Sequence, residues 1–370
     1  MTRTTILIIS ALLFAGFNSC QNKTTDSAGE KQTTAAPSHK VENIILLIGD
    51  GMGLTQISAG MTVSKEPLAF RKFKHIGLQT TNSASDYITD SGASGTALAT
   101  GQKTKNGMIG VDSNKNNLTS ILEIAEKNGL ATGLVSTSSI VHATPAAFIA
   151  HNPVRYDYEG IALDFLRTEI DVFIGGGYKS FAEREDGKNL IDSLRKDNYQ
   201  VMRDLERIKN TTSGKLAGFT AEKHNPKFSE GRGNMLPVAT ETALNILDNN
   251  EKGFFLMIEG SQIDWGGHDN DADYILSELM DFNNAVEKAL DFARKNENTL
   301  VIVTADHECG GMAITGGSLE EHTIEAAFPT DYHTPVMVPV FAKGSGAEYF
   351  QGIYDNTDLF KKMKLLYGFE

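Results

Sequence analysis

The chain has 370 residues, of which 40% are apolar and 22% charged, and its formal net charge is −13 at pH 7. This length is enough for one large folded domain or two modest ones. The acidic balance argues against nucleic acid and anionic membrane surfaces as partners, because phosphate backbones are bound through clustered Lys and Arg. A phosphate-bearing ligand would therefore need a local positive centre.

Residues 1–20 have the pattern of a targeting segment. Arg3 supplies a positive start, Ile6 to Phe17 form an apolar run too short to span a bilayer, and Cys20 closes the segment. The letters FNSC are a loose version of the bacterial lipobox, which predicts cleavage before Cys20 and lipidation of that cysteine. Ordinary secretion and a structural role for Cys20 are the alternatives. The prediction is an exported protein, periplasmic or anchored to the outer membrane as a lipoprotein, that meets the membrane only through its lipid.

Residues 21–40 are polar and nearly free of large apolar side chains, which predicts a flexible tether. A single catalytic domain is predicted over 41–370, since no later break in composition marks a second one. Its one cysteine is Cys309, so this part of the chain would fold without an internal disulfide.

From Val41 onwards, short apolar runs that end in glycine or an acid alternate with helical patterns. The predicted strands are IILLIGDG (44–51), GLVST (133–137), DVFIGGG (171–177), FFLMIEG (254–260), LVIVTADH (300–307) and VMVPVFAKG (336–344). Helices are predicted between them, for example over 118–129 and 272–296. The alternation predicts an α/β fold with a doubly wound, mainly parallel sheet and helices on both faces. Residues 178–235, rich in Lys, Asp, Asn and Gly, are the best candidate for a small cap insertion.

Ligands of such sheets lie beyond the carboxyl ends of the strands. The residues that directly follow the apolar runs include Asp50, Glu259, Asp306 and His307, all of types that bind metals. Taken alone, a strand-end aspartate such as Asp50 is as often a helix cap. The GDGMG around Asp50 lacks the full G-x-G-x-x-G spacing and puts a carboxylate where a pyrophosphate would lie, so a dinucleotide loop is rejected.

Further segments add candidate ligands. Asp264 and His268, in IEGSQIDWGGH, are four residues apart, a spacing that aims both side chains at one point from a helical turn. His333 precedes the last strand, and HATPAAFIAHNPVR contributes Thr144 and Arg155. Taken one at a time, the segment with Asp264 and His268 fits a charged loop, His333 fits a structural histidine, and Arg155 fits a surface arginine. Together with the strand-end residues they suit zinc, with oxygen-only positions left for magnesium, and the use of His and Asp rather than Cys favours a catalytic site.

The segment TDSGASGTALATG (89–101) places Ser91 at the head of a run of small residues. Small residues at a helix start leave its free N–H groups open to a phosphate, and tight packing of the helix on the sheet would explain the same composition. A serine nucleophile usually needs a base beside it, yet no histidine or lysine lies near Ser91 in the sequence.

The segments LLIGDGMG, TDSGASGTALATG, HATPAAFIAH followed by Arg, IEGSQIDWGGH, TADHECGG and HTPV resemble, in this order, the motifs of the alkaline phosphatase family. The resemblance extends from about residue 43 to the strand near 344. It implies an alkaline-phosphatase-like fold and hydrolysis of phosphate monoesters through a phosphoserine, with two Zn²⁺ and one Mg²⁺ as cofactors. Family members are commonly dimers, which leaves a homodimer open.

Carried over position by position, the resemblance implies a role for each candidate. Ser91 would be the nucleophile, and Arg155, oriented by Asp90, would hold two phosphate oxygens. The implied ligands are Asp264, His268 and His333 for the first zinc, Asp50, Asp306 and His307 for the second, and Asp50, Thr144 and Glu259 for magnesium. A zinc ion beside Ser91 would take the place of the missing base.

Two expected substrate-binding positions depart from the commonest family pattern. Trp265 stands where many members carry a Lys or His that reaches towards phosphate, and His142 stands where others have Asp or His. His142 leaves the third metal open between zinc and magnesium. The short connection between Arg155 and Glu259 predicts an open site and a broad range of phosphomonoesters.

Three alternatives remain. A sulfatase would need a C/S-x-P-x-R motif, which Ser91–Ser94 lacks. A phosphodiesterase of the wider superfamily tends to use threonine as nucleophile and to lack the Thr144 and Glu259 pair. From another class of protein, a lipid-anchored metal- or phosphate-binding protein would bind without turnover.

Overall fold

The computed structural model of the protein describes residues 41–369, so the predicted targeting segment, tether and Cys20 lie outside the described residues. In this part of the chain the strands are β1 (Asn43–Gly49), β2 (His75–Thr80), β3 (Ala131–Ser139), β4 (Val172–Gly176), β5 (Gln200–Met202), β6 (Leu216–Phe219), β7 (Phe254–Gly260), β8 (Thr299–Thr304), β9 (Glu308–Cys309), β10 (Ala313–Ser318), β11 (Thr323–Ala327), β12 (His333–Thr334), β13 (Val338–Gly344) and β14 (Gly352–Asp355).

The helices of the same region are α1 (Leu54–Val63), α2 (Ser91–Thr100), α3 (Ile121–Lys127), α4 (Ala143–Ala146), α5 (Tyr158–Asp164), α6 (Tyr178–Ala182), α7 (Leu190–Lys196), α8 (Leu205–Lys209), α9 (Met235–Leu247), α10 (Gln262–His268), α11 (Ala272–Lys295) and α12 (Thr357–Tyr367). Both helices named from the sequence are present: α3 starts at a capping box formed by Ser120 and Glu123, and α11 starts at an Asp271 cap. Between residues 41 and 369, none of these helices combines the length and apolar character needed to cross a bilayer.

Ten strands form the central sheet, in the order β14-β2-β13-β8-β1-β7-β3-β4-β6-β5. Every neighbouring pair is parallel except the two pairs made by β13, which runs antiparallel to β2 and β8. The prediction of a mainly parallel α/β sheet is therefore confirmed.

The sheet is buried on both faces, as its continuous apolar strands require. In β1, Ile44, Leu46 and Ile48 pack into one hydrophobic core, while Ile45 and Leu47 pack into a second core on the opposite face. The first core also contains side chains of α2, α3 and α12, and the second contains side chains of α1, α9 and α11. Burying each such Ile or Leu side chain stabilises the fold by about 1.5–3 kcal/mol.

The structure differs from the sequence prediction at the margins of the sheet. All six predicted strands occur, although β13 starts only at Val338 and leaves Val336 exposed. The strands β2, β5, β6 and β14 were not predicted, because they are short or alternate buried with exposed residues. The segment 178–235 contributes β5 and β6 to the sheet, so it extends the sheet as well as covering it.

Two short antiparallel pairs lie outside the central sheet. In the first, β9 and β12 align Cys309 with His333 and Glu308 with Thr334. The chain between these strands forms the β10–β11 hairpin, and Leu319, just beyond the end of β10, is 80% exposed. Both ends of the hairpin are therefore held together by the β9–β12 pair, directly after His307 in the chain.

Candidate active site and metal centre

The side chains predicted at the strand ends meet at one edge of the sheet. The strands β8, β1 and β7 are neighbours, and Asp306, Asp50 and Glu259 lie at their carboxyl ends. All three carboxylates are completely buried. Burying an ionised carboxylate costs several kcal/mol unless an opposite charge or strong hydrogen bonds compensate for the lost water.

Asp264, His268 and His333 form a first group of ligand-type side chains. Asp264 and His268 lie one turn apart on α10, and β12 brings His333 to them. The Asp264 carboxylate lies 3.4 Å from Nε2 of each histidine, and the two Nε2 atoms are 3.2 Å apart. Ligand atoms about 2.0–2.1 Å from a tetrahedral zinc ion are about 3.3 Å from one another, so this spacing fits such an ion.

Backbone carbonyls fix the orientation of both histidines. Nδ1 of His268 lies 2.7 Å from the Asp331 carbonyl oxygen, and Nδ1 of His333 lies 2.8 Å from the Thr89 carbonyl oxygen. Each Nδ1 is therefore assigned the proton and donates it, which leaves the lone pair of Nε2 directed at the group.

The sequence reasoning missed Cys309 as a member of this neighbourhood. Its sulfur and one ligand atom from each of Asp264, His268 and His333 all lie within 4.8 Å of one another. The β9–β12 pairing explains this, because residues directly opposite each other in an antiparallel pair project to the same side. Burial, together with the charge of Asp264, raises the pKa of the thiol.

Asp50, Asp306 and His307 form a second group, next to Ser91. Nε2 of His307 lies 3.2 Å from Asp306 Oδ2, 3.5 Å from Asp50 Oδ1 and 3.4 Å from Ser91 Oγ. One ring nitrogen faces three oxygens at once, and a single proton cannot satisfy all three contacts. A cation at their common centre would.

Glu259 is the centre of a third group. Its Oε2 accepts hydrogen bonds of 2.6 Å from the hydroxyls of Ser136 and Ser261. Burial raises the pKa of the Glu259 carboxyl, and the hydrogen bonds from Ser136 and Ser261 act in the opposite direction. Thr144 Oγ1 is buried and has no hydrogen-bond partner among the described residues. This all-oxygen environment is of the kind that magnesium prefers.

The electrostatics of the three groups call for positive charge. Burial and the neighbouring carboxylates of Asp306, Asp264 and Glu259 raise the pKa of Asp50 well above its usual range. Both carboxylate oxygens of Asp50, and one each of Asp306, Glu259 and Asp264, are buried and make no hydrogen bond to any residue between 41 and 369. Buried polar atoms are nearly always partnered, so these orphaned oxygens fit bound divalent cations.

Ser91, Asp90 and Arg155 lie together at the start of α2. Ser91 is the first residue of the helix and is 2% exposed. Asp90 caps the helix by accepting a 2.9 Å hydrogen bond from the Ala93 amide at Oδ1, while its Oδ2 accepts from the Gly107 amide at 2.9 Å and from Arg155 Nη1 at 2.8 Å. Arg155 Nε is buried and has no partner in the part of the chain that the structure describes, so this guanidinium keeps a donor for an anion at the helix start.

His142 and Trp265 lie edge to face beside this site, with ring centroids 6.2 Å apart. Burial, with Arg155 and His224 nearby, lowers the pKa of His142 to about 3, so its ring is neutral at pH 7. His224, which the sequence reasoning missed, completes the cluster at 5.4 Å from His142 and 5.0 Å from Trp265. Its ring is held by a 3.1 Å hydrogen bond that Nδ1 accepts from the Ser139 amide.

A cavity of about 320 Å³ opens onto these groups. Its lining includes the predicted residues Ser91, Arg155, Asp90, His142, Asp264, Trp265, His268 and His333. It also includes Asn106, Tyr156 and Tyr332, which the sequence reasoning missed. For the two tyrosines, the sequence offered one indication: Tyr156 directly follows Arg155, and Tyr332 directly precedes His333.

Comparisons with known proteins agree on one family. Residues 41–326 match the family model described as "Alkaline phosphatase". Alkaline phosphatase 3 of Bacillus subtilis is 38% identical over 326 residues, which cover 84% of this chain and 70% of that protein. Alkaline phosphatase of Escherichia coli K12 is 33% identical, with 88% of this chain and 86% of that protein covered. The solved alkaline phosphatase of the Antarctic bacterium TAB5 matches with a TM-score of 0.85 and 40% identity, over 90% of this chain and 99% of that chain.

A parallel sheet with buried carboxylates and histidines around a helix-start serine is the framework of a metal-binding hydrolase. The chain belongs to the alkaline phosphatase family, as its sequence motifs indicated, and it is a phosphatase. Family membership supports the hydrolysis of phosphate monoesters as its activity.

Proposed function

We propose that the protein hydrolyses phosphate monoesters to an alcohol and inorganic phosphate through a phosphoserine on Ser91, with two zinc ions and one magnesium ion bound. The observation that carries this proposal is the set of buried, unpartnered carboxylate oxygens beside that serine. Both oxygens of Asp50 and Oδ2 of Asp306 belong to the set. Such oxygens attract divalent cations, and a serine beside them is in position to attack phosphorus.

The ligand sets follow the three groups of the site. Asp264, His268 and His333 would hold one zinc, Asp50, Asp306 and His307 the other, and Asp50, Thr144 and Glu259 the magnesium. When bound, such ions supply positive charge and lower the pKa of an oxygen attached to them. A solved TAB5 alkaline phosphatase, 39% identical, holds magnesium in its M3 site in a variant in which one histidine is replaced by aspartate. For this chain, magnesium at the third position rests on the oxygen ligands offered there.

The chain's own side chains would bind and orient the ester. Arg155, held by Asp90, donates to two phosphate oxygens, and the free amides at the start of α2 favour the same negative charge. Ser91 Oγ gives up its proton and forms a bond to phosphorus as the bond to the alcohol oxygen breaks, and that oxygen takes up a proton as the alcohol leaves. Water then displaces Ser91 from phosphorus, so that ester and water give alcohol and phosphate.

The direct test is turnover of p-nitrophenyl phosphate before and after removal of metal with a chelator. We expect activity to be lost on chelation, restored largely by zinc, and raised further by magnesium added with zinc. Activity that survives complete metal removal, with metal content checked by elemental analysis, would contradict the proposal.

Two other functions make distinct predictions. A phosphodiesterase would hydrolyse bis(p-nitrophenyl) phosphate at least as fast as the monoester, whereas we expect a strong preference for monoesters. A protein that only binds metal or phosphate would show no turnover in any metal state. A broad range of monoesters is expected because Tyr156 and Tyr332, which line the cavity, are exposed to solvent.

Export and lipid anchoring at Cys20 are part of the proposed biology. Both rest on the sequence of residues 1–20. We expect the mature protein to partition with membranes and the Cys20→Ala variant to lose that partitioning while it keeps phosphatase activity. A single domain over 41–370 stays a prediction of the sequence, and a homodimer stays a possibility that the family resemblance leaves open.

A further inference from the structure

Three aromatic rings form a stack that leads from the buried metal-ligand groups to the mouth of the cavity. The rings of His307 and His333 are stacked, with centroids 3.6 Å apart and an interplanar angle of 20°. The ring of Tyr332 continues the stack on His333, at 4.7 Å and 10°. His307 is completely buried, whereas Tyr332 is 46% exposed. The outer ring thus ends the stack where the cavity opens.

Tyr156 stands at another part of the same cavity wall. It follows Arg155 directly, and the Arg155 guanidinium carbon lies 5.4 Å from the centre of its ring. The side chain is 70% exposed although it lines the cavity that contains Ser91. Because Arg155 would hold the phosphate, the exposed Tyr156 ring lies close to where the alcohol part of the ester would be.

Neither tyrosine hydroxyl has a hydrogen-bond partner among the described residues. The Tyr332 ring is placed by its stack on His333, and the Tyr156 ring lies against the Arg155 guanidinium. The Tyr332 backbone is fixed, since its carbonyl oxygen accepts a 3.0 Å hydrogen bond from the Gly310 amide and its amide donates to Thr330 Oγ1 at 3.2 Å. The Tyr156 backbone follows Arg155, whose amide donates to the Gly107 carbonyl at 2.9 Å. A tyrosine side chain has only two torsions to fix, so covering these rings with a ligand costs little entropy.

We propose that Tyr156 and Tyr332 form a stacking site for the leaving group, so that the enzyme binds phosphate esters of planar, aromatic alcohols more tightly than those of aliphatic alcohols of the same size. The proposal rests on the proposed phosphatase function of the same cavity. A flat ring attached to the ester oxygen would lie in the cavity that these two exposed rings line together with Ser91 and Arg155. Aromatic pairs of this kind add to apolar contact alone, and two of them correspond to about a tenfold gain in affinity.

Non-hydrolysable phosphonates separate this binding from the chemistry. We would measure competitive inhibition constants of methylphosphonate, cyclohexylphosphonate and phenylphosphonate with the zinc- and magnesium-loaded enzyme, at a pH at which all three are dianions. Cyclohexylphosphonate matches the phenyl compound in size but is not flat. The expected order is phenylphosphonate about tenfold tighter than cyclohexylphosphonate, with methylphosphonate weakest.

Variants that remove a tyrosine ring can be compared with matched variants that keep the ring but lose its hydroxyl. We expect Tyr332→Ala and Tyr156→Ala each to reduce the phenyl-to-cyclohexyl ratio to about threefold, while Tyr332→Phe and Tyr156→Phe keep it. Tyr87→Ala serves as the control, because Tyr87 is 74% exposed and does not line the cavity. The Phe variants keep the test valid if an Ala variant disturbs folding.

The outcomes are distinguishable. Equal inhibition by the phenyl and cyclohexyl compounds in the wild type would overturn the stacking site while leaving the phosphatase proposal intact. Loss of the preference in the Phe variants would also overturn it, because the hydroxyl rather than the ring would then be responsible. If methylphosphonate and inorganic phosphate both fail to inhibit the metal-loaded enzyme, the proposed function fails and this inference fails with it.

Discussion

The carboxylate of Asp90 joins the Arg155 guanidinium to the first turn of the helix that begins at Ser91. One oxygen accepts from the Ala93 amide at 2.9 Å and the other accepts from Arg155 Nη1 at 2.8 Å. The position of Arg155, the candidate phosphate-binding residue, relative to Ser91, the candidate nucleophile, therefore depends on the side chain of Asp90.

Replacing Asp90 by Asn should separate the capping of α2 from the positioning of Arg155. The amide oxygen can still accept from Ala93, but the charge that holds Arg155 is gone, so we expect inorganic phosphate to inhibit about five- to tenfold more weakly. Asp90→Ala should weaken phosphate binding similarly and also lose about 1 kcal/mol of stability, because the helix cap disappears. Inhibition constants and urea unfolding measure both effects. Unchanged phosphate inhibition in both variants would contradict this role.

Ser91→Ala should abolish turnover, with a fall in kcat of at least about a thousandfold, because Ser91 Oγ is the hydroxyl that lies beside His307 of the second ligand group. Phosphate binding and metal content should stay close to those of the wild type. The wild type, quenched in acid during turnover, should carry a phosphoryl group on the peptide that contains Ser91. The control is Ser58→Ala on the exposed side of α1, which should not affect kcat. A Ser91→Ala enzyme that still turns over would refute the phosphoserine.

His268→Asn should remove one zinc ion per chain. The substitution deletes one of three ligand-type groups that lie 3.2–3.4 Å apart, while Asp264 and His333 stay in place. Elemental analysis after dialysis against a weak chelator should give about one zinc instead of two. His75→Asn, far along the sheet in β2, should keep both. Equal zinc content in the two variants would show that His268 is not a ligand.

Arg232→Met should destabilise the protein by about 3–5 kcal/mol, since it leaves two carboxylates buried without their partner. Arg232 pairs with Glu278 and with Asp281, the latter at 2.8 Å, and all three side chains are nearly inaccessible. The matched control is Arg167→Met, because Arg167 is 71% exposed in its pair with Asp164 and should cost less than about 1 kcal/mol. Urea unfolding of both variants is the measurement, and similar losses in the two would contradict the prediction.

Glu126 should make the protein less stable as the pH rises from about 4.5 to 7. Burial raises the pKa of Glu126 from 4.5 to about 7, so in this window the unfolded chain releases the proton while the folded chain keeps it. One pKa unit corresponds to about 1.4 kcal/mol, and partial exposure reduces the expected total loss to about 1–2 kcal/mol. Glu126→Gln should therefore be more stable than the wild type at pH 8 but not at pH 4. Glu297→Gln, at an exposed position, should show no such difference, and the same pH profile in wild type and Glu126→Gln would refute the prediction.

Much of the sheet was predictable from sequence because a parallel strand buried on both faces must be apolar throughout. This made β1, β7 and β8 recognisable, and the rule that ligands lie at carboxyl ends of strands then pointed to Asp50, Glu259 and Asp306. The structure places these three carboxylates at those strand ends, while their metal-binding roles stay predictions. Edge strands such as β14 escaped detection, since half-exposed strands carry no continuous apolar signal.

The parts of the site that sequence could not give depend on contacts between distant segments. His224 reaches His142 and Trp265 from a segment that was expected only to cover the sheet. Cys309 comes next to His333 only because two-residue strands pair across an intervening hairpin. The antiparallel direction of β13 is likewise set by how the chain returns to the sheet, and no local pattern records it.

The hairpin between β9 and β12 offers a practical point of access to this enzyme. Cys309 and His333 are paired at the base of this hairpin. Residues can therefore be inserted in the hairpin between them without displacing Cys309 or His333. Extra residues introduced next to Leu319, such as an affinity tag or a fluorescent peptide, would project into solvent. The attachment point is thus close along the chain to the candidate active site, while the inserted residues themselves would lie in solvent, which suits the protein to use as a reporter fusion.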